Sequence, residues 1–147
     1  MTDLPDFDLD RFTPYRLAVV AQKTSEGLAR LYRDRFGISI PEWRVLAHLA
    51  HSGDVSVRDI EARVVMEKSK VSRAAARLEA AGYLQKTADK SDRRLVSMSL
   101  TAKGNTLMSE LLPLAMEYQR RLEDRLGAAF DDFEAGVDRL LSDGKVP

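Results

Sequence analysis

Between Lys68 and Ala81, the side chains of Ser69, Lys70, Ser72, Arg73 and Arg77 recur at helical spacings. They share one side of a helix with Ala76, while Val71, Ala74, Ala75 and Leu78 fall on the other side. An arginine can bond a guanine edge at two points, a serine can bond several bases or a phosphate, and an alanine can touch a thymine methyl. Small side chains interleaved with basic ones also suit a helix that must enter a groove about 12 Å wide. Its N-terminal N–H groups are ready donors for phosphate. A merely solvated face carries glutamate as well, and here only Glu67 and Glu79 occur, one near each end. The pattern points to double-stranded DNA.

A second cluster, "ADKSDRR" at residues 88 to 94, packs Lys90, Arg93 and Arg94 together with Asp89 and Asp92. It separates Tyr83–Thr87 from the alternating run Leu95–Leu100, so it reads as the tip of a β-hairpin with Val96, Met98 and Leu100 on one face. A hairpin beside a groove-reading helix lies against the neighbouring minor groove, whose negative potential attracts arginine. Asp92 or Asp89 can hold a guanidinium extended through a bidentate pair. The acids therefore do not contradict a DNA partner.

The elements that must position these clusters are legible from periodicity and caps. Phe12–Phe36 is expected to be a long helix stopped by Gly37. Ser39-Ile40-Pro41-Glu42 is a capping-box pattern opening a short helix through Trp43, Leu46, Ala47 and Ala50. Ser56-Val57-Arg58-Asp59 caps another, carrying Val57, Ile60 and Val64, and Gly82 ends the helix that begins at Lys68. After the hairpin, Thr101 is placed to cap a helix from Ala102 to Leu126 that contains Pro113, which should bend it or break it in two. Phe133, Val137, Leu140 and Leu141 mark a last helix. The three short helices and hairpin make a self-contained unit, and the long flanking helices carry more apolar surface than it can cover. A second copy of the chain is the expected cover, hence a homodimer.

The 147-residue chain has zero formal net charge, but the charge is segregated. From Gly53 to Gly104 there are 11 Lys and Arg against 7 Asp and Glu, a net of +4, and the remainder carries −4. With no cysteine, disulfides, thiolate zinc sites and cysteine nucleophiles are excluded. The first ten residues, MTDLPDFDLD, hold four aspartates and no base, unlike a signal peptide, and no apolar run approaches a membrane span. A soluble, cytoplasmic protein without a membrane partner is expected. His48, His51 and Asp54 are spaced by three, but a closed zinc site normally needs four ligands, so no metal and no cofactor is expected. No phosphate loop, Gly-x-Ser-x-Gly elbow or HExxH occurs, and no enzyme activity is expected.

The stretch "DKSDRRLVSMSLTAKG" resembles the wing of MarR-family transcriptional regulators, an Asp-rich turn ending in Asp-Arg-Arg followed by a strand and Leu-Thr-x-x-Gly. Upstream, "SVRDIEARVVMEKSKVSRAAARLEAAGYL" resembles the family's helix pair, with its Ser-x-Val-Ser-Arg core and Leu-Glu-x-x-Gly-Tyr-Leu exit. The resemblance covers nearly the whole chain. It implies a mainly α fold with a small β-hairpin wing (α+β), a winged helix-turn-helix flanked by long dimerisation helices. Residues 1–37 would be an arm and dimerisation helix, 38–104 the DNA-binding region, and 105–147 further dimerisation helices. It implies a homodimeric regulator, most often a repressor, on a pseudo-palindromic operator. Arg94 would be the minor-groove arginine and Asp92 its brace.

Family members commonly lose DNA affinity when a small molecule, often an aromatic carboxylate, occupies a crevice between the dimerising and DNA-binding regions. "TPYRLAVVAQ" and "PEWRVLAHLAHSG" could supply its walls through Tyr15, Trp43 and His48, with Arg16 and Arg44 as carboxylate partners. The stretch from Phe12 to Ala50 is also similar to a subgroup that responds to hydroxycinnamate-type aromatic acids or their CoA thioesters. The lack of cysteine removes the thiol-oxidation switch of one branch of the family. A winged helix used for protein–protein contact is the competing expectation. The basic, small-residue face from Ser69 to Arg77 weighs against it.

Overall fold

The computed structural model describes residues 2–88, 92 and 94–142. Lys90 and Arg93, and with them Asp89, lie outside the described residues. The chain divides into two compact units, the first ending at Leu111 and the second beginning at Leu112.

In the first unit, α1 (Thr13–Phe36) starts with Pro14 in its first turn and ends at Gly37, whose φ of 66° is the left-handed conformation that lets the chain reverse. α2 (Ile40–Ser52) opens on the expected capping box. The Ser39 hydroxyl accepts from the Glu42 N–H, and the Glu42 carboxylate accepts from Ser39. α3 (Val57–Arg63) is capped by Ser56, whose Oγ accepts from the Asp59 N–H at 3.0 Å. α4 (Lys68–Ala80) follows after a short turn.

The hairpin strands are β2 (Leu84–Ala88) and β3 (Val96–Leu100), paired antiparallel from Leu84↔Leu100 to Ala88↔Val96. β2 is displaced by one residue from its sequence-based bounds, whereas β3 starts one residue later and ends at Leu100 as expected. A further strand, β1 (Val55–Ser56), pairs with the other edge of β3 through Val55↔Met98 and Ser56↔Ser97, giving the order β1-β3-β2. Period two does not reveal a two-residue strand, and Ser56 signals a helix cap more strongly. Met98 is fully buried and Leu100 packs against the core, as the alternation requires, but Val96 is 44% exposed. It sits at the tip-side end of the pairing, past the edge of the core.

The core of this unit joins Ala29 and Tyr32 of α1, Val45, Leu46 and Leu49 of α2, Ile60 of α3, and Val71, Ala74, Ala75 and Leu78 of α4. Leu84 and Met98 close it from the sheet, and Leu107, Met108 and Leu111 close it from α5 (Ala102–Leu126). Thr101 caps α5 as expected, its Oγ1 accepting from the Gly104 N–H at 3.0 Å while donating to the Gly82 carbonyl at 2.5 Å. Gly104 is required for contact: a Cβ there would run into the Tyr83 carbonyl oxygen and against Leu100. α5 continues through Pro113 without a break, so the proline removes only the bond to the Ser109 carbonyl.

The second unit holds the rest of α5, a 3-10 turn at Gly127–Ala129 and α6 (Phe130–Leu141). α6 buries none of its residues; Phe133, Leu140 and Leu141 are exposed, as are Leu112 and Met116 of α5. Among the described residues no helix is long and apolar enough to cross a membrane.

Candidate nucleic-acid interface

α4 presents the face expected of it. Val71, Ala74, Ala75 and Leu78 are buried, so Ser69, Lys70, Ser72, Arg73, Ala76 and Arg77 are left exposed on the opposite side. The helix starts without a side-chain cap. Its first turn is closed by the Glu67 carbonyl, which accepts from the Lys70 and Val71 N–H groups.

Arg77 is partly committed within the protein. Its Nε lies 3.7 Å from Glu42 Oε1, the same carboxylate oxygen that accepts from the Ser39 hydroxyl at 2.6 Å. Glu42 is mostly covered, so this pair ties the last turn of α4 to the start of α2. Ser69, Lys70, Ser72 and Arg73 stand on the preceding turns of α4.

At the hairpin, Asp92 has two tasks. Its Oδ1 accepts from the Arg94 N–H at 3.0 Å while its carbonyl accepts from the Leu95 N–H at 3.0 Å, an Asx-type turn that aspartate favours. Its carboxylate also receives the Arg94 guanidinium in a bidentate grip, Nε to Oδ1 and Nη2 to Oδ2, both at 3.2 Å. The Arg94 side chain nevertheless remains 88% exposed. Such a fork-on-fork pair fixes direction as well as charge. The brace expected from Asp92 is therefore present as geometry.

Arg94 also lines a cleft of about 510 Å³ together with Arg58 of α3, Lys68 of α4 and Lys86 of β2, over an apolar floor of Val57, Leu95 and Val96. Glu61 is the acid on its wall, and Lys86 lies 3.9 Å from Glu79. Sequence patterns did not single out Arg58, Lys68 or Lys86. Arg58 and Lys68 sit in the first turns of their helices, and Lys86 is the middle residue of β2. The signal that could have found them is position: first turn of α3, first residue of α4, and a basic residue in the edge strand of the hairpin. The cleft thus gathers cations from α3, α4 and the hairpin.

The residues expected around an effector form two groups. Trp43 stacks on Tyr32 of α1, with ring centroids 5.6 Å apart and planes at 23°. Arg44 donates through Nη1 to the Val65 carbonyl at 2.8 Å and reaches Ser25 Oγ at 3.5 Å. His48 Nδ1 lies 2.8 Å from the Arg44 carbonyl. A carbonyl only accepts, so Nδ1 is the donor in this contact. Tyr15 and Arg16 instead line a separate hollow of about 270 Å³ with Asp10, Val19 and Val20. From Arg16 to Ser25 the helical rise is about 14 Å, so within one protomer the two groups are not brought together. Burial beside Trp43 pushes the Tyr32 phenol up to about 12, an effect that Arg33 and Arg44 partly oppose.

Known proteins agree with this geometry. The MarR family model matches residues 36–95, from the end of α1 to the wing. The chain is 26% identical over 133 residues to the HTH-type transcriptional regulator TtmR of Methylorubrum extorquens (strain PA1), covering 82% of this chain and 68% of that one. It superposes with a TM-score of 0.80 on the MarR family transcriptional regulator SPO1453 from Silicibacter pomeroyi DSS-3, at 27% identity and covering 93% and 98% of the two chains. Bordetella bronchiseptica BpsR, whose DNA binding is regulated by 6-hydroxynicotinic acid, shares the fold at a TM-score of 0.79, with 22% identity and 95% and 99% coverage. With a groove-sized basic helix, an arginine gripped at the hairpin and these relatives, residues 36–95 match the MarR family, and the chain as a whole is similar to its winged-helix transcriptional regulators.

Proposed function

We propose that this protein is a homodimeric, ligand-responsive repressor that binds a pseudo-palindromic operator, one winged helix to each half-site. The observation that carries the reading is the Asp92–Arg94 grip beside the exposed face of α4, with cations of three elements around one cleft. α4 would lie in the major groove, with Ser69, Lys70, Ser72 and Arg73 toward base edges and phosphates. Arg94 would enter the flanking minor groove, with Lys90 and Arg93 adding charge near it. Arg58, Lys68 and Lys86 would meet the backbone between the two. Arg77, paired with Glu42, would contribute to DNA less than Arg73.

The dimer is supported by apolar surface carried in both units: Phe7, Phe12, Leu17 and Val20 toward the start of the chain, and Met116, Phe133, Leu140 and Leu141 toward its end. Residues 1–37 and 105–147 would supply this interface, and 38–104 the DNA-binding region. The effector would be an aromatic acid or its CoA thioester. Trp43 would give the effector's ring an aromatic face, and Arg44, whose guanidinium is engaged by Val65 and Ser25, would meet its carboxylate only by giving up one of those bonds. Tyr15 and Arg16 could join them only from the second copy. The regulatory response of BpsR to 6-hydroxynicotinic acid, an aromatic carboxylate, is in keeping with this class.

The test is selection of purified protein on random duplex DNA, followed by affinity against salt concentration on the winner. A pseudo-palindrome with half-sites about one helical turn apart is expected. Each phosphate neutralised should add about −0.9 to the logarithmic salt slope. A dimeric, folded protein that enriches no sequence would overturn the reading.

A further inference from the structure

The turn between α3 and α4 is weakly held by its own residues. α3 is only seven residues long, α4 begins at Lys68 with no side-chain cap from Glu67, and Val65 is 85% exposed. Among the described residues no backbone N–H reaches the Val65 carbonyl; its donor is the Arg44 guanidinium, at 2.8 Å. Arg44 stands on α2 and extends its other terminal nitrogen toward Ser25 on α1, at 3.5 Å. A charged donor on a neutral carbonyl is among the stronger hydrogen bonds a protein makes. The planar fork of arginine lets one side chain serve two acceptors in fixed directions, which lysine cannot do.

We infer that Arg44 is a positioning residue for DNA reading: by holding the Val65 carbonyl it fixes the angle at which α4 leaves the turn, and it refers that angle to α1. This rests on α4 being the groove-reading helix. Arg44 itself touches no DNA. Its side chain is half-buried, is spent on Val65 and Ser25, and belongs to neither the exposed face of α4 nor the cleft beside the wing. A small rotation of α4 about its first turn is magnified along the helix, so misplacement should be felt at Arg73 more than in the core.

The experiment compares full-length wild-type protein with Arg44→Ala and Arg44→Lys. Amide hydrogen exchange without DNA is read at Val64, Lys70 and Val71, whose N–H groups are hydrogen-bonded at the two ends of the turn. Affinity for the selected duplex is read by anisotropy against salt. In Arg44→Ala these amides should exchange at least about tenfold faster, with those of Ala74 to Leu78 unchanged. Affinity should fall about tenfold, as expected for loss of one charge-assisted bond, with the same salt slope. Arg44→Lys, which keeps one donor, should recover part of both losses. Unchanged exchange at the turn would overturn the inference. So would exchange accelerated uniformly over the whole chain, which marks general destabilisation, or a salt slope shallower by about one per protomer, which marks a direct phosphate contact. If wild-type protein selects no duplex, the proposed function fails, and the exchange data alone decide whether Arg44 positions α4.

Discussion

Replacing Asp92 by Asn separates what the brace does from what the arginine does. Asparagine keeps an oxygen for the Arg94 N–H, so the turn that ends in the Leu95 hydrogen bond should persist. What is lost is the charge that holds the guanidinium at two points. An exposed pair of this kind contributes little to folding, so thermal stability should barely move. The cost appears on binding. Without the brace, a freely rotating Arg94 must be immobilised in the complex, which costs about 0.5–1.5 kcal/mol per side chain. In the proposed dimer two wings would double this to about 1–3 kcal/mol, or roughly 5- to 150-fold in operator affinity. A second effect opposes it: removing a carboxylate near phosphates favours every DNA complex, specific or not. The discriminating quantities are therefore the ratio of operator to scrambled-duplex affinity, which should fall, and the salt slope. With Asp92 gone, Arg94 carries a full uncompensated charge, so the slope should steepen by up to about 0.9 per wing. Arg94→Ala should make it shallower by a similar amount and cost about 1–3 kcal/mol in specific affinity. Anisotropy with both duplexes over a salt series measures everything required. An Asp92→Asn protein with an undiminished ratio, or with a shallower slope, would refute the idea that the carboxylate pre-extends the arginine.

Gly104→Ala should destabilise the protein by about 1–3 kcal/mol, because the new methyl meets the backbone carbonyl of Tyr83 rather than a flexible side chain. Urea unfolding checks it: the midpoint should drop at constant m. Arg73→Ala should relax selection at one base position by about 1–3 kcal/mol, whereas Arg77→Ala, which breaks the pair with Glu42, should leave the selected motif largely intact; equal relaxation in both would contradict that division. The Tyr32 phenol, raised from 10.0 to about 12, titrates later folded than unfolded. Its contribution to stability is full below the unfolded value and is lost as pH rises from 10.0 toward about 12, so Tyr32→Phe should lose stability less steeply over that window. Identical slopes for the two proteins, measured by denaturation at successive pH values, would contradict it.

Local rules carried much of the fold and the candidate interface. The Ser39–Glu42 box, the Ser56 and Thr101 caps and the buried stripe of α4 all depend on residues three or four apart, and all appear where the spacing put them. The Asp92–Arg94 grip is equally local, two residues apart. What spacing could not supply is partnership across the fold. Arg77 reads as one more basic side chain until Glu42 is brought beside it, and Arg44 reads as a ligand group until Val65 offers it a carbonyl. Tyr15 and Trp43 look like walls of one crevice because both are aromatic, yet Trp43 stacks on Tyr32 near the end of α1 while Tyr15 lines a hollow near its start. β1 escaped because two residues cannot display a period. Val96 has the periodicity of the core face but not its depth, because the strand outlasts the core.

Ser56 belongs at once to β1, where it pairs with Ser97 of β3, and to the start of α3, where its hydroxyl takes the Asp59 N–H. The wing is therefore stiff at its root. A hairpin attached by its two ends alone could swing to suit grooves of different width at little cost. Here a swing must shear the Val55↔Met98 rung and disturb the first turn of the neighbouring helix. In the proposed complex a groove of the wrong width would be penalised instead of absorbed, and selectivity for the shape of DNA would be built into a strand only two residues long.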